Sequence, residues 1–151
     1  LYCMYSHFYH KTSQPQMHQE KYRKYEISGV RAVLHVNNFK SINDTFGHSE
    51  GDNCLSAVAS KIMSVYGRFG YCYRIGRDEF CVMIHKNLDA LIVKSSVFEL
   101  ADELCDKYGD IFGVSIGYAY YDETKADIAD VLKEADDMMY EEKKNKGAIK
   151  R

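Results

Sequence analysis

The sequence predicts an α/β fold, a mixed sheet with helices on its faces, in the order α-β-α-α-β-β-α-β-α. Three observations predict it. Short apolar runs with β-branched residues alternate with stretches whose apolar residues recur every three or four positions. Glycines, alone or as Ser-Gly, stand at the expected ends of most elements. A single proline in 151 residues leaves no proline-rich linker, and 46% hydrophobic with 28% charged residues suits one domain with its own core.

The first thirty residues are polar and aromatic and are interrupted by Pro15. A helix is expected from about Gln16 to Glu26, stopped at Ser28-Gly29. Arg31–Asn37 is a short run with β-branched residues, the pattern of a buried strand. Phe39–Phe46 reads as a short helix closed by Gly47. From about Glu50 to Tyr66, apolar Leu55, Val58, Ala59, Ile62, Met63 and Tyr66 share one helical face, and Gly67 ends it. Two strands, roughly Tyr71–Ile75 and Glu79–Ile84, form a hairpin around Gly76-Arg77-Asp78. A long helix over Leu88–Tyr108 and a strand over Phe112–Tyr120 follow. The last helix runs from Ile128 to about Lys144, with lysines where the macrodipole favours cations.

Charge and cysteines narrow the setting. A net charge of −2, from 20 basic and 22 acidic residues, argues against a broad grip on nucleic acid or an anionic membrane. Five cysteines without a C-x-x-C pair read as buried thiols of a cytoplasmic protein rather than a disulfide frame. No apolar run approaches the ~20 residues of a membrane span, so no membrane insertion is expected from this segment. The chain begins at Leu1, as expected of one domain, residues 1–151, cut from a longer multidomain protein.

Three stretches carry candidate chemistry. The first is Asn37-Asn38-Phe39-Lys40-Ser-Ile42-Asn43-Asp44, with Gly51-Asp52 beyond it, where a strand end meets a helix start. Free backbone N–H groups there can bind phosphate, Lys40 adds charge, and Asn43 and Asp52 suit the edge of a guanine. The second is Arg74-Ile75-Gly76-Arg77-Asp78-Glu79-Phe80, whose adjacent carboxylates would suit a hard cation such as Mg2+. The third is the helical run from Ala135 to Lys144. Taken singly, each also has an ordinary reading: helix caps, a solvated turn, and a packed helix with a basic end.

Taken together they resemble the GGDEF domain family, the diguanylate cyclases that join two GTP molecules into cyclic di-GMP. The matching residues are Phe39-Lys40-x-Ile42-Asn43-Asp44-x-Phe46-Gly47-His48-x-x-Gly51-Asp52 and Arg74-x-Gly76-x-Asp78-Glu79-Phe80. Ser115-Ile116-Gly117 and Ala135-Asp136-x-x-Met139-Tyr140-x-x-Lys143 follow in the family's order, and Leu1-Tyr-Cys-Met4-Tyr5-Ser-His7 is similar to its opening. The resemblance implies a sheet of about five strands wrapped by helices, of the nucleotidyl-cyclase palm type. It also implies a bacterial signalling role in cyclic di-GMP pathways, with GTP as ligand and Mg2+ or Mn2+ as cofactor wherever nucleotide binding is kept. A homodimer, or contact with other signalling domains of the same protein, would follow as well.

By the same resemblance, Asn38, Phe39, Lys40, Asn43, Asp52 and Lys143 are nucleotide-binding positions, and Asp78 and Glu79 are the catalytic carboxylates of the hairpin signature. The metal positions are Asp78, the backbone carbonyl of Val36, and His35. Here the sequence departs from the family. The Asp-x-Asp that ends the family's first strand is His35-Val36-Asn37, and the second glycine of the signature is Arg77. The inhibitory R-x-x-D falls on Gly67-Arg68-Phe69-Gly70, and the basic residue four positions after Lys143 is Gly147. Two-metal catalysis activates the attacking hydroxyl and stabilises the leaving pyrophosphate. A site that has lost one carboxylate is short of charge and hard oxygen donors for that work. The expectation is therefore a degenerate domain, impaired as a cyclase, that responds to guanine nucleotide or mediates dimerisation; the alternative is an active or weakly active diguanylate cyclase.

Overall fold

At the centre lies β1, Gly29–Asn37, and all nine of its residues are buried. A computed structural model describes residues 29–84, 102, 104–121 and 127–149. After β1 come α1, Phe39–Phe46, and α2, His48–Tyr66. The hairpin strands are β2, Gly70–Arg74, and β3, Glu79–Ile84. Residues 104–108 are helical and lead through a 3-10 turn, Gly109–Ile111, into β4, Gly113–Tyr121. The helix α3, Ile128–Ile149, ends the described chain.

The order in the sheet is β2-β3-β1-β4. Every pairing among these four strands is antiparallel, with His35 opposite Glu79 on one side and Ser115 on the other. Alternation along β1 sorts its side chains onto two faces. Val30, Ala32, Leu34 and Val36 join one core with Phe39, Ile42, Leu55, Val58 and Ile62 of α1 and α2. Val33 joins a smaller core with Ala119, Val131, Ala135 and Met139 against α3. Burying both faces explains why β1 reads as a nearly continuous apolar run rather than an alternating one. Each fully buried aliphatic side chain contributes about 1.5–3 kcal/mol relative to exposure.

The element boundaries follow the sequence closely. The bounds of α1 and β3 coincide with expectation, and α2 starts two residues earlier than Glu50. The last helix continues to Ile149, five residues past Lys144. The expected helix at Gln16–Glu26 and most of Leu88–Tyr108 lie outside the described residues. Cys54, Cys72 and Cys81 are buried, as expected of apolar thiols, and Cys105 is half-buried. Burial pushes the first two thiols up to about 11 and Cys81 up to about 12. Among the described residues no helix is long and apolar enough to cross a membrane.

Gly117 fixes how closely α3 lies on the sheet. A Cβ there would overlap the Ala135 carbonyl and the Met139 amide of α3. The missing side chain lets the helix backbone rest on β4, which brings the basic end of α3 over the end of β1.

Candidate functional site

The site forms where β1 ends beneath the β2–β3 hairpin. The Val36 amide donates to the Asp78 carbonyl at 2.9 Å, carrying the β1–β3 pairing one step past His35 and Glu79. The turn itself is closed by the Ile75 and Gly76 amides, which both donate to the Glu79 carbonyl at 3.0 and 3.3 Å. Arg74 braces it: Nε donates to the Gly76 carbonyl at 3.3 Å and a terminal nitrogen to the Arg77 carbonyl at 2.6 Å. A Cβ at Gly76 would crowd the Glu79 side chain, which would have to give way. The Asp78 carboxylate is thereby held 3.5 Å from His35 Nε2.

A polar row runs from that contact along the α3 side of the sheet. His35 and Asn37 alternate with the apolar core face of β1 and are both buried. His35 Nδ1 lies 3.3 Å from Asn37 Oδ1, and Asn37 Nδ2 donates to Ser115 Oγ at 2.9 Å. From above, Lys143 Nζ of α3 reaches His35 Nε2 at 3.2 Å. One turn further along α3, Lys146 donates to the Val114 carbonyl at 2.6 Å and pairs with Glu142 at 2.8 Å. Glu142 in turn accepts from the Ile116 amide at 2.7 Å.

The second part of the site is the join of α1 and α2. Asn38 adopts the left-handed conformation at φ 54, which asparagine tolerates, and turns the chain from β1 into α1. Its side-chain amide donates to the Ile111 carbonyl at 3.2 Å, so it ties two loops together. Phe39 is buried beneath, while Lys40 is exposed on the first turn of α1. Asn43 is buried, and its Nδ2 has no hydrogen-bond partner among the described residues. Gly51 makes room for it, since a Cβ at 51 would overlap the Asn43 side-chain oxygen. Asp52 is exposed one position on, with its backbone carbonyl accepting from Ser56. A buried amide donor without an acceptor costs about 1–3 kcal/mol, which fits a group that finds its acceptor on a ligand.

Arg77 takes a course that spacing could not give. It is exposed at the hairpin tip, and its guanidinium carbon stands 5.8 Å from the centre of the Phe39 ring. The tip therefore leans toward α1 and carries its cation toward Phe39. Glu142, Lys146 and the bracing role of Arg74 were also beyond the sequence reading. The Glu142–Lys146 spacing of four marks a helical pair, but nothing in it announces the contact with β4.

The donors at His35, Val36 and Asp78 do not fit Mg2+. Mg2+ takes oxygen ligands in near-octahedral geometry, whereas these three positions offer one side-chain carboxylate, one backbone carbonyl and one imidazole. The His35 nitrogen that would face a metal is instead within hydrogen-bonding distance of the Lys143 ammonium. Among the described residues no group of three His, Cys, Asp or Glu side chains is placed to hold a metal.

Comparison with known proteins sets this geometry in context. The family model described as "Diguanylate cyclase, GGDEF domain" matches residues 6–148. Diguanylate cyclase DgcP of Escherichia coli is 35% identical over 122 residues, covering 76% of this chain and 35% of that protein. Signaling protein YkoW of Bacillus subtilis is 33% identical over 116 residues, covering 71% of this chain and 14% of that protein. The chain thus spans about a third or less of the length of these two relatives. Among solved structures, the GGDEF domain of DgcB from Caulobacter crescentus, in complex with c-di-GMP, superposes with a TM-score of 0.69 at 26% identity. That match covers 84% of this chain and 80% of the other. The active GGEEF domain of a Vibrio cholerae diguanylate cyclase shares the fold, with a TM-score of 0.68 at 23% identity over 85% of this chain and 83% of the other.

Proposed function

This chain belongs to the GGDEF, diguanylate cyclase family of cyclic di-GMP signalling, and on that premise we propose that it is a guanine-nucleotide-binding regulatory domain impaired as a cyclase. The diguanylate cyclases of the family are generally Mg2+-dependent. The observation that carries the reading is the His35–Asp78 contact at 3.5 Å, which puts an imidazole where the family's first metal carboxylate would stand. Supporting the binding half, the buried Asn43 amide lacks an acceptor among the described residues while Asp52 is exposed. An amide and a carboxylate so placed suit the donors and acceptors of a guanine edge.

In this reading Asn43 and Asp52 hold the base, and Lys40, Lys143 and Arg77 supply positive charge for the phosphates. Phe39 shapes the pocket floor and Asn38 fixes the turn into α1. Asp78 and Glu79 keep the hairpin's position without completing a catalytic metal site. The domain works within a longer protein, as one copy of a homodimer or against neighbouring signalling domains. A second reading, a weakly active diguanylate cyclase, draws on the Val36–Asp78 backbone bond at 2.9 Å, which keeps the signature hairpin docked on β1.

Calorimetric titration with GTP tests the proposal. Saturable binding is expected, weakened by about tenfold or more in Asp52→Ala through loss of a charged hydrogen-bond partner. Absence of saturable binding in the folded protein would leave only a role in protein contacts, and formation of cyclic di-GMP would favour the second reading.

A further inference from the structure

The hydrogen bonds around His35 run in one direction. An ammonium can only donate, so Lys143 Nζ at 3.2 Å from His35 Nε2 requires the lone pair of that nitrogen. The ring proton then sits on Nδ1 and points to Asn37 Oδ1 at 3.3 Å. That fixes the Asn37 amide with its nitrogen toward Ser115 Oγ, the 2.9 Å contact. Each of these three contacts, from α3 to β4, then pairs a donor with an acceptor. The Asp78 carboxylate, 3.5 Å from the same Nε2, faces a ring nitrogen without a proton, a contact that a neighbouring cation relieves.

We propose that the Lys143 ammonium is the resident cation of this site, so that the protein binds the phosphates of its nucleotide without a divalent ion. The inference rests on the reading of the domain as a guanine-nucleotide binder and specifies how that site is charged. An imidazole in place of a carboxylate removes one negative charge from the corner. A lysine cation can then sit on it as a neutral acceptor's partner, with donors left over for a phosphate oxygen, since the ammonium carries three. Arg77, exposed at the hairpin tip over Phe39, adds a second cation on the α1 side of the hairpin. His35 thereby becomes the perch of the lysine rather than a metal ligand.

The test is calorimetric titration of the 151-residue protein with GTP, in EDTA and in Mg2+, for the wild type, Lys143→Met and Lys144→Met. The wild type is expected to bind equally in the two buffers to within about twofold, a difference below ~0.5 kcal/mol. Lys143→Met should lose about tenfold or more in EDTA through the missing charge-assisted contact. Lys144→Met removes the same charge from a lysine paired with Glu141 at 2.9 Å, and should leave affinity unchanged. Thermal unfolding of both variants, whose lysines are exposed along α3, checks that they are folded. Wild-type binding that needs Mg2+, or Lys143→Met binding like the wild type in EDTA, would overturn the inference and leave nucleotide binding standing. Absence of GTP binding in both buffers would overturn the functional reading and this inference with it.

Discussion

His35 Nε2 of β1 stands 3.5 Å from Asp78 Oδ2 of the hairpin, and Lys143 Nζ of α3 reaches the same nitrogen at 3.2 Å. One imidazole thus joins three elements at the point where the family's cyclases are expected to gather carboxylates around metal. Replacing it has a defined outcome. His35→Asp places a second carboxylate beside Asp78, and like charges so close destabilise each other unless a cation intervenes. Lys143 offsets part of that repulsion, so the variant is expected to be only modestly less stable than the wild type without divalent ions. Mg2+ should then raise its melting temperature while leaving the wild type unmoved. Differential scanning fluorimetry with and without Mg2+ reads this directly, and an identical Mg2+ response in both proteins would contradict it.

Asn43 separates binding from stability. Its side-chain nitrogen is buried and has no partner among the described residues, so it contributes no hydrogen bond to them through that atom. Leucine has nearly the same branched shape, and replacing an unsatisfied amide by an apolar group is neutral or stabilising. Asn43→Leu should therefore melt at or above the wild-type temperature while losing GTP affinity by about tenfold or more, the worth of ~1.4 kcal/mol. A variant that melts well below the wild type would assign the amide a structural role instead.

The far end of α3 offers a gain of function. Gly147 lies within the helix, and a Cβ there meets nothing within 4 Å. It also occupies the place of the family's basic residue one turn after Lys143. Gly147→Arg should stabilise the protein by up to about 0.5 kcal/mol, less than the ~1 kcal/mol of a helix interior because the end is near. The melting point should rise by about 1–2 °C. GTP affinity should also increase, most at low salt. Titration at two ionic strengths measures the second effect, and a fall in affinity would place this turn away from the phosphates.

Acid should release a tie on the opposite side of the core. Lys107, Asn53 and Tyr108 all bond the Glu50 carboxylate and hold it down to about 2 from an ordinary 4.5. A carboxyl whose folded value is depressed contributes stability above its unfolded value and loses it as pH falls through the folded one. Glu50→Gln should accordingly be less stable than the wild type at pH 7. The gap should close between about pH 4.5 and 2. Urea unfolding of both proteins across that range tests the sign, and a gap that widens on acidification would refute it.

Much of the fold was legible because the apolar pattern is clean. Phe39–Phe46 and Glu79–Ile84 are bounded by their flanking glycines and charges, and the buried run marks β1 and its end at Asn37, although the strand starts two residues before the expected Arg31. The site was legible as a set of positions through the family resemblance, and the exchanges at His35 and Arg77 were visible as letters. What spacing could not supply was direction. A lysine 108 positions from His35 meets it only because Gly117 lets α3 settle on β4. The exposed arginine of the hairpin lies over Phe39 of α1, on a tip whose carbonyls Arg74 binds. Such contacts depend on tertiary approach, which periodicity does not encode.

The central claim is that the domain holds GTP without converting it. Equilibrium dialysis against GTP with Mg2+, followed by chromatography of the nucleotide on both sides of the membrane, tests both halves at once. GTP is expected to accumulate on the protein side and to be recovered unchanged. Equal GTP on the two sides, or the appearance of cyclic di-GMP and pyrophosphate, would contradict it.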